Sequence, residues 1–266
     1  MKYRLTENKK EVNGKVLYQI EALTSFGNVN KGDLGGWIER EGNLNQWGNA
    51  WVRDNAWVYD NARVSGNALV SDNALVSDNA QVSGNALVYG NAQVRGNALV
   101  SGNAWVRGNA HVSGNALVSD NAQVSGNALV SGNAQVWVNA QVSGNALVSG
   151  NAWVRDNAHV SGNTQVMGDA QVSGNALVSG NAWVRDNAQV SGNAWVRDNA
   201  LIETTKDYVC VGPLGSNRFI TFTKSNRMVS AGCFLGTIDE FKAAVDKKYK
   251  GESDYYPVIE WFRQIK

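Results

Sequence analysis

An aliphatic residue recurs at every sixth position from Val52 to Ile202, without one insertion or deletion. The unit around it reads V-S-G-N-A-x, as in the segment from Val82 to Leu87. A period this short and this regular predicts a solenoid, in which each coil stacks on the one before it. A helix is excluded because a Gly or Asp followed by Asn in every unit would break it. The hexad therefore predicts short strands joined by turns.

The alternation within the unit predicts which side chains are buried. The Val points inward, the Ala two residues before it also points inward, and the residue between them (position x) points outward. Gly or Asp followed by Asn supplies the unusual backbone angles of a tight corner. Three units close a coil of eighteen residues, and coils stack at roughly 4.8 Å, so about 26 units predict eight to nine coils. The corner asparagines should hydrogen-bond from coil to coil.

The two ends of the chain do not follow the hexad and are expected to cap the solenoid, because an open end would expose a sheet edge and the core. Residues 1–45 predict an N-terminal β-hairpin cap with its turn at Asn13-Gly14. Residues 46–203 are the predicted β-helix, and residues 204–266 a small α/β C-terminal cap. The three predicted strands of the C-terminal cap are Tyr208–Val211, Arg218–Phe222 and Met228–Phe234.

Two helices are predicted after these strands. Thr237 and Glu240 have the spacing of a capping box at the start of the first helix, and Ile238, Phe241 and Val245 would form its apolar face. The second helix has Pro257 in its first turn.

Charge and composition exclude several classes of partner. The net charge is +1, and residues 50–202 contain seven Arg and nine Asp but no Lys or Glu, so no basic stripe exists for nucleic acid. The polar N-terminus has no signal peptide and no apolar run is long enough for a membrane span, which predicts a cytoplasmic protein without a membrane partner. Cys210 and Cys233, both with apolar neighbours, are expected to be buried thiols and are too few for a zinc site. No cofactor is predicted.

The V-S-G-N-A-x units resemble the hexapeptide repeat of left-handed parallel β-helices, and the left hand of the coil is implied by that resemblance. The segments LYQIEAL (17–23), GDLGGWIE (32–39) and GNAWV (48–52) resemble the start of uncharacterised hexapeptide-repeat proteins of bacteriophages and prophages. Those proteins are often described as acetyltransferases on the basis of their fold. The expected fold is thus an all-β solenoid, a three-sided left-handed parallel β-helix with 18 residues per coil and a cap at each end.

The acyltransferase activity that this resemblance implies can be tested on the histidines. Hexapeptide-repeat acyltransferases use a His as general base, in a pocket shaped by a loop that leaves the helix. His111 and His159 both occupy outward x positions of ordinary units, and the repeat has no such loop. Carbonic anhydrases of similar fold bind their metal through three His, more than this chain has. The sequence therefore predicts a protein without catalytic residues or a metal site.

The outward positions hold Leu, Gln and Trp rather than the Lys and Glu of an ordinary surface. Residues eighteen apart should stack on one face, and contiguous apolar area on a soluble protein usually marks an interface. Self-association and a heterologous partner are both open at this point. The first face would present Trp51, Leu69, Leu87, Trp105, Gln123, Gln141, His159, Leu177 and Trp195, and the second Trp57, Leu75, Gln93, His111, Leu129, Leu147, Gln165, Trp183 and Leu201.

The third face contains the sharpest departure from the repeat. At Trp137 and Val138 the usual Ser-Gly is replaced by two large apolar residues. Trp153 and Arg155 follow one coil later, and Arg155, eighteen residues after Trp137, should stack on the indole as a cation–π pair. Trp and Arg are enriched at binding hot spots, so we expect these four residues to belong to an interaction surface. The alternative is neutral drift in a redundant repeat.

The sequence predicts a rigid, non-catalytic solenoid of phage or prophage type that presents a protein-binding surface, with which it would engage or inhibit a host factor. The candidate surface residues are Trp137, Val138, Trp153, Arg155, Trp183 and Trp195. A dimer or trimer is the alternative assembly. Two other functions stay open: an acyltransferase of unknown substrate, and a nucleotide-binding sponge in which Trp stacks a base and Arg pairs a phosphate.

Overall fold

The chain begins with a β-hairpin that leads directly into the solenoid. In the computed structural model, which describes residues 1–215, 217–251 and 253–265, β1 (Tyr3–Val12) pairs antiparallel with β2 (Lys15–Ala22) across the predicted two-residue turn. Strand β3 (Leu34–Ile38) pairs antiparallel with β2 and parallel with the first coil of the repeat. A 3-10 turn, Glu41–Asn43, follows β3. The N-terminal segment is therefore continuous with one sheet of the solenoid.

Each hexad forms one two-residue strand followed by a turn. The turn requires a residue with positive φ at its second position, which is why Gly or Asp recurs there, as at Gly84 (φ 68°) and Asp120 (φ 58°). Strands β4–β29 are, in chain order, Trp51–Val52, Trp57–Val58, Arg63–Val64, Leu69–Val70, Leu75–Val76, Gln81–Val82, Leu87–Val88, Gln93–Val94, Leu99–Val100, Trp105–Val106, His111–Val112, Leu117–Val118, Gln123–Val124, Leu129–Val130, Gln135–Val136, Gln141–Val142, Leu147–Val148, Trp153–Val154, His159–Val160, Gln165–Val166, Gln171–Val172, Leu177–Val178, Trp183–Val184, Gln189–Val190, Trp195–Val196 and Leu201–Ile202.

Strands eighteen residues apart pair in parallel and form three flat faces. Leu87, for example, lies between Leu69 and Trp105 in the same register. The first face contains nine strands from β4 to β28, the second contains twelve because β1–β3 join it, and the third contains eight from β6 to β27. The predicted solenoid with eighteen residues per coil is confirmed.

The interior of the solenoid contains the Val and Ala of each unit. Val88, Ala86 and their equivalents along the chain are fully buried, and position x is outward on every face. The corner asparagines form the predicted ladders: Asn67 Nδ2 donates to Asn85 Oδ1 at 2.9 Å, and Asn85 Nδ2 to Asn103 Oδ1 at 2.9 Å. Because these corner amides bond to one another, the turns do not depend on water for the partners of their side chains.

The C-terminal segment forms an antiparallel sheet with two helices packed on it. The sheet contains β30 (Tyr208–Leu214), β31 (Arg218–Thr223), β32 (Met228–Ala231) and β33 (Phe234–Thr237). The prediction of a single strand from Met228 to Phe234 is wrong, because the chain reverses at Gly232, where φ is 62°. That turn gives the cap a fourth strand.

The two helices of the cap are α1 (Ile238–Tyr249) and α2 (Tyr255–Gln264). The predicted capping box is present, with Glu240 N donating to Thr237 Oγ1 at 3.3 Å and Thr237 N to Glu240 Oε2 at 2.8 Å. Phe222 of the sheet and Phe262 of α2 stack with 5.1 Å between their ring centroids. Within the described ranges, neither helix is long and apolar enough to cross a membrane.

Two sequence-based expectations about exposure are corrected by the structure. Trp51, expected on the outer surface of the first face, is only 4% exposed, because Phe26 and Tyr3 of the N-terminal segment cover its ring. Cys233, expected to be buried, is exposed at the β32–β33 turn, and Cys210 is half-buried. Burial raises the pKa of the Cys210 thiol, and both cysteines are free.

Candidate interaction site

The anomalous residues of the third face gather at one corner of the solenoid. Trp137 and Val138 are the first two turn residues after β18, where the chain passes from the third face to the first. Trp153 lies on β21, the next strand of the third face, and Arg155 follows it at the same corner. Trp137, Val138, Trp153 and Arg155 are called the corner patch below.

The backbone passes through the corner patch in the same register as elsewhere in the repeat. Trp137 N donates to Val154 O at 3.1 Å, and Asn121 N donates to Val138 O at 2.7 Å. The asparagine ladder also continues, since Asn139 Nδ2 donates to Asn157 Oδ1 at 3.1 Å. The departure from the repeat is therefore confined to the side chains and to one backbone conformation.

That conformation belongs to Val138, whose φ is 63°. Every other unit between Val52 and Ile202 has Gly or Asp at this turn position. The left-handed region brings Cβ close to the following carbonyl oxygen and costs an L-residue about 1–2 kcal/mol, and a β-branched side chain is a true outlier there. Asp120 Oδ2 accepts from Val138 N at 3.2 Å, a contact to the backbone that does not depend on the valine side chain.

The guanidinium of Arg155 lies over the indole of Trp137, with 5.9 Å from Cζ to the ring centroid, as the eighteen-residue spacing predicts. Both side chains are half-buried. Trp137 Nε1 and Arg155 Nε are buried and have no hydrogen-bond partner in the part of the chain that the structure describes. A buried donor left unpaired costs about 1–3 kcal/mol. The patch thus combines backbone strain with two unsatisfied donors.

Three other Trp-Val-Arg units of the repeat use their arginine differently. In these units the guanidinium lies over the Trp two residues before it, so the indole is covered by its own unit; the pairs are Arg107–Trp105 (5.9 Å), Arg185–Trp183 (5.8 Å) and Arg197–Trp195 (4.3 Å). In the corner patch Arg155 pairs with Trp137 of the preceding coil. Trp153 is 38% exposed, and no cation of the described residues lies over its ring.

The structure does not bring the remaining predicted surface residues into the corner patch. Trp183 lies on the second face, opposite the corner. Trp195 lies on the first face near the C-terminal cap, where its backbone N–H donates to Thr221 Oγ1 at 2.8 Å. Four of the six candidates are therefore neighbours, and the other two are separate.

One exposed residue was missed from the sequence. Trp47 is 82% exposed and occupies the same corner as Trp137, at the N-terminal end of the solenoid. The sequence signal is a Trp at a turn position that usually holds Ser. It is hard to recognise because Trp47 precedes the regular part of the repeat.

The two histidines lie on different faces. His111 is on the second face with Nδ1 3.5 Å from Arg95 Nη2, and its pKa is lowered mainly by burial and also by the Arg95 charge. His159 is on the first face. Within the described residues, no group of three His, Cys, Asp or Glu side chains is placed to hold a metal ion.

The repeat is similar to a known family of solenoids. Segments 56–72, 80–96, 92–108, 122–136, 140–156 and 170–186 match the family model described as YdcK Beta solenoid repeat. All of them lie within the stacked coils. A comparison with curated proteins finds no match. The repeat match and the stacked parallel coils together identify the chain as a β-solenoid repeat protein.

Proposed function

We propose that the solenoid is a non-catalytic scaffold that binds a protein partner through the corner patch. The conformation of Val138 is the observation that carries this proposal. Gly at this position would relieve the strain and keep the register, as Gly102 and Gly174 do at the same corner two coils away. A strained residue that the fold does not need points to a role outside the fold.

The side chains of the corner patch indicate the chemistry of the partner. Trp153 offers an exposed indole, and Val138 adds a half-buried apolar group to the patch. Arg155 can donate to a carboxylate or carbonyl oxygen of the partner, which would satisfy its unpaired Nε once the guanidinium shifts. An apolar centre with an arginine at its edge is the usual composition of a binding hot spot.

The resemblance to phage and prophage proteins leads us to propose a host factor in the bacterial cytoplasm as the partner. A second copy of this chain is the alternative occupant, since a flat solenoid face also suits a dimer or trimer. The non-catalytic part of the proposal is supported by the unbroken spacing of strands β4–β29, which leaves no loop to shape a pocket beside His111 or His159.

The test is to restore the ordinary unit by the double substitution Trp137→Ser and Val138→Gly. We expect the variant to keep the solenoid and gain about 1 kcal/mol of stability from the relieved turn, while partner capture from host lysate is lost. Thermal unfolding, a pull-down and the mass of the purified oligomer measure these effects.

The control is Trp183→Gln, which removes an exposed Trp from the face opposite the corner. It should leave capture unchanged. If the wild-type chain is an oligomer and only the double variant is a monomer, the partner is a second copy. Undiminished capture by the double variant would mean that the corner patch is incidental.

A further inference from the structure

The C-terminal cap contains a small cavity between its sheet and its helices, remote in sequence from the corner patch. The cavity volume is about 90 Å³. Its walls include four aromatic rings from β33, α1 and α2, and two cationic side chains line it as well. These six residues are Phe234, Phe241, Tyr249, Tyr255, Arg218 and Lys248.

The aromatic walls form one continuous series of contacts. The ring centroids are 5.1 Å apart for Phe234 and Phe241, 5.8 Å for Phe241 and Tyr255, and 5.5 Å for Tyr255 and Tyr249. Such edge and tilted contacts hold the rings in place, so the cavity keeps its shape without a ligand. The pocket is pre-formed rather than induced.

The size of the cavity limits the ligand. One water molecule corresponds to about 30 Å³ of liquid, and a cavity that binds benzene has about 150 Å³. In a pocket that opens to solvent, a volume of about 90 Å³ suits a branched group of three or four carbons better than an aromatic ring.

The charges at the cavity favour an anion. Arg218 and Lys248 are exposed, and neither has a carboxylate within salt-bridge distance among the described residues. In contrast, Lys242 and Arg263 of the same cap are paired with carboxylates, at 2.7 and 2.6 Å respectively. Lys248 Nζ lies 5.2 Å from the centroid of the Tyr249 ring, at the edge of the aromatic wall.

Among the described residues, the acid Asp254 acts on the Tyr255 phenol at the cavity. Burial is the main cause that raises the pKa of the Tyr255 phenol; the charge of Asp254 adds to this effect, and the charge of Arg218 opposes it. Of the residues that the structure describes, Arg218, Lys248 and Asp254 together carry about one positive charge, which suits a monoanion.

We propose that this cavity binds a monocarboxylate that carries a branched aliphatic group of three or four carbons. The carboxylate lies between Arg218 and Lys248, and the aliphatic group lies among the aromatic rings. A free short-chain acid and the C-terminal Val or Leu of a peptide share this chemistry.

The test is a titration of the full-length protein with 3-methylbutanoate, N-acetyl-leucine and N-acetyl-leucine amide. Binding is measured by the shifts of the protein NMR signals. We expect the two acids to bind and the uncharged amide not to bind. Preference for 3-methylbutanoate would identify a free acid as the ligand, and preference for N-acetyl-leucine the end of a peptide. Arg218→Gln should weaken binding of the acids about 10- to 100-fold, the range for a charged hydrogen bond.

A matched pair of helix substitutions separates the cavity from the surface charge. Ala243 and Ala244 are both exposed on α1, but only Ala244 lines the cavity. Ala244→Leu should abolish binding and Ala243→Leu should leave it intact, while both variants keep the wild-type melting temperature. Absence of shifts at millimolar acid, or equal binding by Ala244→Leu, would overturn the proposal. The corner-patch variants leave this titration unchanged, so the two proposals fail separately.

Discussion

The two ends of the solenoid are closed by opposite hydrogen-bonding chemistry. In the repeat, the N–H of each x residue points to the next coil: Leu87 N donates to Ala104 O at 2.9 Å, and Gln123 N to Ala140 O at 2.9 Å. The first coil is therefore left with free carbonyls and the last coil with free N–H groups. Each end needs a different partner, because buried backbone groups are costly when unpaired.

The N-terminal segment supplies donors to the first coil. Lys2 Nζ donates to Ala50 O at 2.8 Å, and the amide of Asn43 donates to Ala62 O at 2.9 Å and to Asp60 O at 3.1 Å. Lys2 and Asn43 are both buried. Two side chains thus take the place of the missing preceding coil on two of the three faces.

The C-terminal segment supplies acceptors to the last coil. Thr221 Oγ1 accepts from Trp195 N at 2.8 Å, and Ser225 Oγ accepts from Leu201 N at 2.7 Å. The Asp207 carboxylate accepts from Glu203 N at 2.8 Å. The caps are therefore not interchangeable, and together they remove the complementary surfaces by which one solenoid could add to another.

The largest effect is expected from removing both caps. A chain reduced to residues 50–203 would present free carbonyls at one end and free N–H groups at the other, with the same coil geometry. We expect head-to-tail filaments visible by electron microscopy. Chains that lack only one cap have no complementary open end to add to and should stay single. Filaments of equal length from a single-cap deletion would show that the polarity of the ends does not matter.

A smaller but still large effect is expected when a donor at the N-terminal end is turned into an acceptor. Asn43→Asp would place a carboxylate against two backbone carbonyls in a buried position, and we expect a loss of about 3 kcal/mol or more. Thr221→Val at the other end removes an acceptor without repulsion and should cost about 1–2 kcal/mol. Urea unfolding gives both values. The donor–acceptor comparison fails if Asn43→Asp costs no more than Asn43→Ala.

The pH dependence of stability should reveal the buried donor. Burial lowers the pKa of Lys2 from 10.5 to about 8. The folded protein therefore releases this proton at lower pH than the unfolded chain, so stability rises from about pH 8 toward 10. The expected gain is at most about 2 kcal/mol over these two pH units. Above pH 10 the trend reverses, because burial raises the pKa of Tyr3 and the folded state then binds more protons.

The control for this measurement is the Lys2→Met variant, whose thermal unfolding is measured at each pH. The difference between the two curves isolates Lys2 from Lys10 and Cys210, whose pKa values burial also shifts. Parallel curves for the two proteins would contradict the assignment.

The smallest effect is expected in the middle of the repeat. Asn121 accepts from Asn103 Nδ2 at 3.0 Å and donates to Asn139 Oδ1 at 3.0 Å, but all three are exposed. Water can replace these bonds in Asn121→Ala, so we expect a loss of only about 0.5–1 kcal/mol by urea unfolding. A loss as large as that of Asn43→Ala would mean that the ladders, not the caps, hold the coils together.

The sequence predicted features that depend on neighbours in the chain or on the fixed period. The turn at Asn13-Gly14 and the capping box of Thr237 are of the first kind, and the contact of Arg155 with Trp137 is of the second. The division of Met228–Phe234 into two strands is not apparent from the sequence, because Gly232 forms its turn inside an apolar run. The burial of Trp51 was missed because its cover comes from residues far away in the chain.

The candidate site was predicted in the same partial way. Large residues at turn positions marked Trp137 and Val138, because the repeat provides its own standard for comparison. The two unsatisfied donors could not be predicted, since they depend on how closely the Trp137 and Arg155 side chains pack. The cavity of the C-terminal cap could not be predicted from the sequence either, because its rings come from one strand and two helices.

The sequence by itself determined the solenoid, its eighteen-residue register and the inward Val and Ala, because a period of six admits one way to alternate strand and corner. Only the tertiary structure decided how the ends close. Which side chain meets a free carbonyl or a free N–H depends on the path of the irregular segments, as Lys2 and Thr221 show. A repeat specifies its interior locally, whereas its boundaries are specified by contacts between residues distant in the chain.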